Sequence, residues 1–263
     1  MAGLFTFDFR HRYRNGLSTW LVAHALLLTF QCNPTHVQAE TADWEFYIAP
    51  YAWGLGLDGN ISHGPYHFRA DASFSDLWSD LNWGGMGAFQ AQKGKFGILV
   101  DGLYVDLSDD VSLTNLPLPF PVDIDIDNKT STGLLAATFR VLDRPGGFVD
   151  LMAGYRYWSI ETDVDISVPI ANLDVSEGAD WHDGQLGIRG HANLSSRFYI
   201  EGMALTGTRS DRTTDLTAFA GFRINDCTAI MAGFRRISID YRNSLYRFDA
   251  TLHGPAIGFS YKF

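Results

Sequence analysis

Cysteine is nearly absent from this 263-residue chain, which has only Cys32 and Cys227. Two cysteines build no disulfide framework and none of the paired spacings of a zinc site. Basic residues are scarce as well: 20 Lys and Arg face 30 Asp and Glu, for a formal charge of −10. That balance argues against a nucleic-acid partner, since phosphate binding needs a basic stripe. There is no Gly-x-Ser-x-Gly elbow, phosphate-binding loop, dinucleotide fingerprint or His-Glu-x-x-His motif. The chemistries those motifs carry have no anchor here. Long apolar runs are missing too: beyond residue 30 nothing approaches the roughly 18 residues of a helical membrane span.

The first 39 residues form a unit of their own. Arg10, Arg12 and Arg14 make a basic start, Leu17 to Phe30 an apolar centre, and Val37-Gln38-Ala39 a small-residue cleavage pattern. This order is that of a secretory signal peptide, with 40–263 as the mature domain. His24 interrupts the apolar centre, which is too short to anchor the chain in a membrane. Thr29-Phe30-Gln31 before Cys32 is no lipidation signal. Cleavage removes three Arg and one Asp, takes the charge to −12, and leaves Cys227 with no internal partner.

What the mature chain does have is glycine, aromatics and alternation. Apolar and polar side chains alternate over short runs, which is the period of a strand with two unlike faces. In 182–194, Leu186, Ile188, Ala192 and Leu194 oppose Asp183, Gln185, Arg189, His191 and Asn193. In 148–159, Val149, Leu151, Tyr155 and Tyr157 oppose Asp150, Met152 and Arg156. In 130–141, Leu135, Ala137, Phe139 and Val141 oppose Thr132, Thr138 and Arg140. Arg235 and Arg236 are adjacent and cannot share a face. Ten such strands are predicted, with eight or twelve as the alternatives. Every second connection is short (93–95, 143–147, 195–197, 225–227), while the intervening ones, 58–82, 108–129, 161–181 and 240–249, are long, with only 209–215 modest. Within 58–82, Ser75 to Leu81 reads as a short helical turn. Pro50 predicts a bulge or break in the first strand, because it cannot donate to a ladder.

The closing stretch points the same way. Ile257, Phe259, Tyr261 and Phe263 alternate with Gly258, Ser260 and Lys262. An apolar, aromatic outer face suits lipid, and the aromatic suits the interface. The stretch resembles the closing strand of bacterial outer-membrane β-barrels, and the turn pattern resembles the small, OmpA-like class as a whole. The resemblance implies an all-β fold, a closed antiparallel transmembrane barrel with short periplasmic turns and longer extracellular loops. It also implies export to the outer membrane of a Gram-negative bacterium, assembly by the barrel-assembly machinery, and lipid and lipopolysaccharide as neighbours.

In such a barrel Arg140, Asp150, Arg156, Arg189, His191, Glu201 and Arg223 fall on the luminal face, with Asp101 a further candidate. A charge facing lipid near the midplane would cost roughly 2–4 kcal/mol, so the polar face is the lumen. Ten strands lie near the side-chain-filled end of the barrel series. A filled polar lumen, in a barrel of structural or surface-interaction type, is the expectation. A narrow path for small solutes or ions is the alternative. Trp44, Trp53, Trp83, Tyr104, Trp158, Trp181, Tyr199 and Tyr241 lie near strand ends and are predicted to form two aromatic girdles.

Two acidic motifs remain. Asp123-Ile-Asp125-Ile-Asp127-Asn128 begins like an EF-hand loop, but Asn128 stands where Gly is needed and Leu134 where Glu is needed. It reads as a solvated acidic segment, divalent-cation binding being the lesser reading. Asp180-Trp181-His182 resembles the Asp-x-His pair of the omptin proteases, ten-stranded outer-membrane barrels. By that resemblance Asp163 and Asp165, or Asp123 and Asp125, would complete the site. The match covers a few residues only, so no catalytic residue, metal ligand or cofactor is assigned.

Overall fold

The computed structural model describes Phe5–Thr6 and residues 43–63, 66–113, 122–168, 171–208, 212–242 and 246–263. The predicted signal segment and its cleavage site lie outside the described residues, apart from β1 (Phe5–Thr6), which pairs in parallel with Phe68 and Arg69. The rest is β2 (Trp44–Trp53), β3 (Gly56–His63), β4 (Tyr66–Ala72), α1 (Phe74–Ser79), β5 (Leu81–Lys93), β6 (Phe96–Leu113), β7 (Val122–Arg144), β8 (Gly147–Val168), β9 (Ala171–Asn193), β10 (Phe198–Gly207), β11 (Arg212–Arg223), β12 (Thr228–Arg242) and β13 (Tyr246–Lys262).

Strands β2 and β5 to β13 pair in chain order, and β13 returns to β2. The result is a closed antiparallel barrel of ten strands, as the alternation predicts. β3 and β4 are additional: β13 pairs with β2 through Ala256–Lys262 and with β3 through Tyr246–His253, and β4 folds back on β3. Closure is sealed at the end of β13, where Phe46 and Phe263 exchange backbone hydrogen bonds of 3.3 and 3.0 Å and stack at 5.6 Å.

The short turns are built by residues suited to them. Gly94 takes φ 56°, a left-handed conformation open to glycine without strain. The Asn225 side chain accepts from the amides of Cys227 and Thr228, and Ser195 accepts from those of Arg197 and Phe198. These side chains satisfy amides that the ladder no longer reaches.

On the opposite side, most of what reads as connection is paired backbone. Segments 108–129 and 161–181 contain the outer ends of β6 to β9, strands of 18, 23, 22 and 23 residues, whereas β10 has 10. The wall is therefore tall on one side and low on the other. Segment 58–82 holds most of the β3–β4 hairpin and α1, which overlaps the predicted helical turn over 75–79 but ends before Leu81, already part of β5.

Face assignment follows parity. Leu135, Leu151, Tyr155, Leu186 and Ile188 are exposed on the outside, as are Ile257, Phe259 and Phe263, whereas Thr138, Asp150, Met152 and Arg156 are buried inside. Arg235 points in and Arg236 out. The girdle prediction needs correction. Trp44, Trp83 and Tyr104 are exposed, but Trp53, Trp158, Trp181 and Tyr199 are buried in the lumen, because their parity is that of the inner face. The Tyr241 side chain lies outside the described residues.

Candidate functional site

The lumen is built in three layers. At the periplasmic end is a vestibule of about 460 Å³, lined by side chains of β2, β5 and β7 to β13 and by the short turns. Its wall is polar because every second residue of these strands is. Arg189 binds Glu201 at 2.8 Å and also donates to Gln90. His191 lies 3.4 Å from Glu201, and Arg223 donates to Asn193 at 2.5 Å. Arg140 donates to Asp150 at 3.0 Å and lies over the Phe148 ring at 4.1 Å. Lys262 and Glu45 pair at the rim.

Above the vestibule is an ion-pair layer. Arg235 binds Asp101 at 2.7 Å and Asp215 at 2.6 Å and donates to the Tyr51 hydroxyl. Tyr51 in turn donates to Asp101 at 2.8 Å. Arg156 reaches Asp215 from the far wall at 2.5 Å. Asp101 and Asp215 thus meet two cations, and a buried charge without compensating partners would cost several kcal/mol. Asp183, directly across from Arg156 on β9, accepts from Gln185 and from the amides of Thr208 and Thr213.

The outer layer is apolar. Trp158 and Trp181 stack at 5.8 Å, and Trp53, Leu103, Val105, Ile237 and Leu252 pack with them. Trp158 and Ile237 are fully buried. Arg235 lies 5.5 Å from the Trp53 ring, which joins the charged layer to the apolar one.

The seven predicted luminal residues thus divide. Arg189, His191, Glu201 and Arg223 form one connected network, Arg140 and Asp150 a second, and Arg156 belongs to the ion-pair layer. The residues that centre that layer, Arg235 and Asp215, are not among them. Asp215 falls at the end of the 209–215 connection, where no strand is predicted. Its parity with Thr217 and Phe219 is the signal that would have found it.

Outside the membrane band, β6 to β9 continue as a sheet with two unlike faces. In register across its outward face run Asp110, Asp125, Asp165 and Asp174, with Asp127 and Asp163 one row below. Like charges directly opposite one another repel. Asp125 is pushed up from the usual carboxylate range by its hydrogen bond with Asp110. Asp165 is pushed up by partial desolvation and then by the charge of Asp174. The inner face carries Ile124, Ile126, Val164, Ile166, Leu173 and Val175 in adjacent rows. Among the described residues no group of His, Cys, Asp and Glu is arranged to hold a metal ion.

Asp180 and His182 also lie on the outward face, where His182 stacks on Tyr155 at 5.3 Å. Asp180 pairs across with Ser159, four residues from Asp163 on the same face. That is about 13 Å along the strand. Asp123 and Asp125 lie farther toward the tip, on β7. These acids are strung along the outside of the wall and do not converge on a cleft.

No family model matches the sequence, and no curated protein does. Solved structures do match in fold. The outer-membrane protease OmpT from Escherichia coli superposes with a TM-score of 0.58 at 9% identity, over 86% of this chain and 99% of that one. The translocator domain of the autotransporter NalP from Neisseria meningitidis follows at 0.46 and 11%, over 85% and 90%. At such identity the likeness concerns the fold, which is that of a bacterial outer-membrane β-barrel.

Proposed function

We propose that this protein is a closed barrel of the bacterial outer membrane that works at the cell surface rather than as a pore. The observation that carries the reading is the double seal of the lumen: the Arg235–Asp101–Asp215–Arg156 layer, with the Trp158–Trp181 layer directly outside it. A solute path would have to cross a desolvated ion-pair network and then a packed aromatic core. An open aqueous channel belongs to barrels of about 16 strands or more. The protruding β6–β9 sheet, acidic outside and apolar inside, is the element available for surface interaction. Lipid and lipopolysaccharide are the neighbours its outer band suits, and the aromatic end of β13 suits recognition by the assembly machinery. The sequence of the first 39 residues supports export through the periplasm.

The test is conductance of the mature protein inserted in a planar lipid bilayer. A silent membrane, with insertion shown by protease protection, is the expected result. Steady single-channel openings would overturn it and favour the narrow-path reading, for which the periplasmic vestibule is the supporting observation.

A further inference from the structure

The wall has one incomplete seam, and the space behind it is unlike the vestibule. Pairing between β2 and β5 runs from Trp44 and Lys93 to Pro50 and Gly87, and stops there. Pro50 has no amide hydrogen to offer. Beyond it, Tyr51, Ala52 and Trp53 are held only by β13, and Gly84, Gly85 and Met86 only by β6. α1 stands in the gap and closes it partly: Phe74 and Trp78 remain 45% and 64% exposed. Behind is a cavity of about 130 Å³, bounded by Trp53, Met86, Val105 and Leu107 toward the lumen and by Leu77 and Trp78 toward the outside. Every side chain around it is apolar or aromatic.

Its height and size narrow the occupant. Ala52 is eight residues from Trp44, about 20 Å along the membrane normal for a strand tilted by about 40°. That lies inside the outer edge of an apolar band roughly 25 Å tall. Trp83 and Tyr104, in contact at 5.3 Å and exposed, mark the interface beside it. The medium at the opening is therefore outer-leaflet hydrocarbon. An apolar cavity of about 150 Å³ holds one benzene, so this one has room for about six carbons. The lining offers a headgroup no charged side chain, and a protein side chain would have to arrive through lipid.

We propose that the seam is a lateral lipid site, in which the end of one acyl chain of an outer-leaflet lipid enters between β2 and β5 and lies against Met86 and Trp53. The proposal rests on the reading of this barrel as a membrane protein. It concerns the wall, not the sealed lumen.

The probe is a phosphatidylcholine with a diazirine at the end of one acyl chain, in vesicles into which the protein has been refolded. After irradiation, adducts are mapped by peptide mass spectrometry. The expected result is adducts on Met86 and Val105, which face inward, beside those on the lipid-facing Phe89. In Gly84→Leu the inward adducts fall severalfold while Phe89 is unchanged. A Cβ at Gly84 meets Leu81 at 3.5 Å, an ordinary contact, so the new side chain fills the space without forcing the backbone. Gly133→Leu, whose Cβ meets nothing within 4 Å, is the matched control and keeps the inward adducts. Adducts confined to Phe89 and Ile48, or inward adducts that survive Gly84→Leu, would overturn the proposal. So would labelling of Met86 by the free diazirine fatty acid but not by the phospholipid. A lack of any outward adduct would instead strike the membrane reading, and the proposal with it.

Discussion

Two halves of one lumen are finished in opposite materials. On the periplasmic side of Arg235 the inward residues are Gln90, Gln92, Arg189, His191, Glu201 and Arg223, around open space. On the outer side they are Trp53, Leu103, Trp158, Trp181 and Ile237, packed together. The same ten strands run through both, with the same alternation. The difference teaches that strand pairing fixes which side chains face in, while their identity decides whether the space is hydrated or filled. In the vestibule the pairs border open space, and Glu201 keeps 31% of its side chain exposed, so solvent screens the Arg189–Glu201 pair in part. At the boundary they are cut off from it, and the same chemistry becomes decisive.

That contrast can be broken most forcefully at Arg235. Arg235→Ala strips Asp101 and Asp215 of their shared partner inside the barrel, and losing one member of a buried pair costs about 3–5 kcal/mol. Arg189→Ala is expected to cost less, because the Glu201 it leaves behind keeps 31% of its side chain exposed and can be hydrated. Chemical unfolding in lipid vesicles compares the two, and equal losses would erase the distinction between the halves. Next in size is Trp158→Ala, which removes a fully buried aromatic and is expected to cost about 3 kcal/mol. Conductance should stay absent in each single variant, since the other layer remains, and arise only in the double variant Arg235→Ala, Trp158→Ala.

The smallest effect is expected outside the membrane, where like charges face one another in the open. The carboxyls of Asp125 and Asp165 are raised in the folded state, so the folded sheet binds protons more readily than the unfolded chain. By linkage, the outer ends of β7 and β8 lose stability as pH rises through those raised values and recover it as pH falls toward the ordinary carboxylate range. Asp165→Asn should mimic low pH. Hydrogen exchange at the tips, corrected for intrinsic rates, should slow at neutral pH in the variant and lose part of its pH dependence. Faster exchange would mean that the row of aspartates stabilises the sheet.

The sequence makes the strand count and the facing of most strands legible, because charged residues such as Asp150 and Arg156 cannot face lipid while Leu151 and Tyr155 can. Other features are hidden for physical reasons. Aromatics suit both an interface and a packed core, so Trp158 and Trp181 carry no sign of their side until register is known. The outer ends of β7 to β9 are wet on one face, and their Asp-rich alternation looks like a loop. The central ion-pair layer joins residues 134 positions apart, Asp101 and Arg235, and no local pattern announces such a contact. The break at Pro50 is the reverse case: one residue's missing amide forecasts where pairing ends.

The unequal strand lengths carry a consequence for traffic at the surface. The β8–β9 ladder continues for ten pairs past Trp158 and Trp181, about 25 Å of rise at a tilt of about 40°. β10 ends at Gly207 and β11 resumes at Arg212, close to the bilayer. The mouth is cut like a scoop. Molecules arriving from the high side meet a fence of aspartates, whereas those arriving from the low side meet the isoleucines and valines behind it. Which neighbour is met first depends on how the barrel is turned within the plane of the membrane, so its compass heading becomes a property that selection can act on.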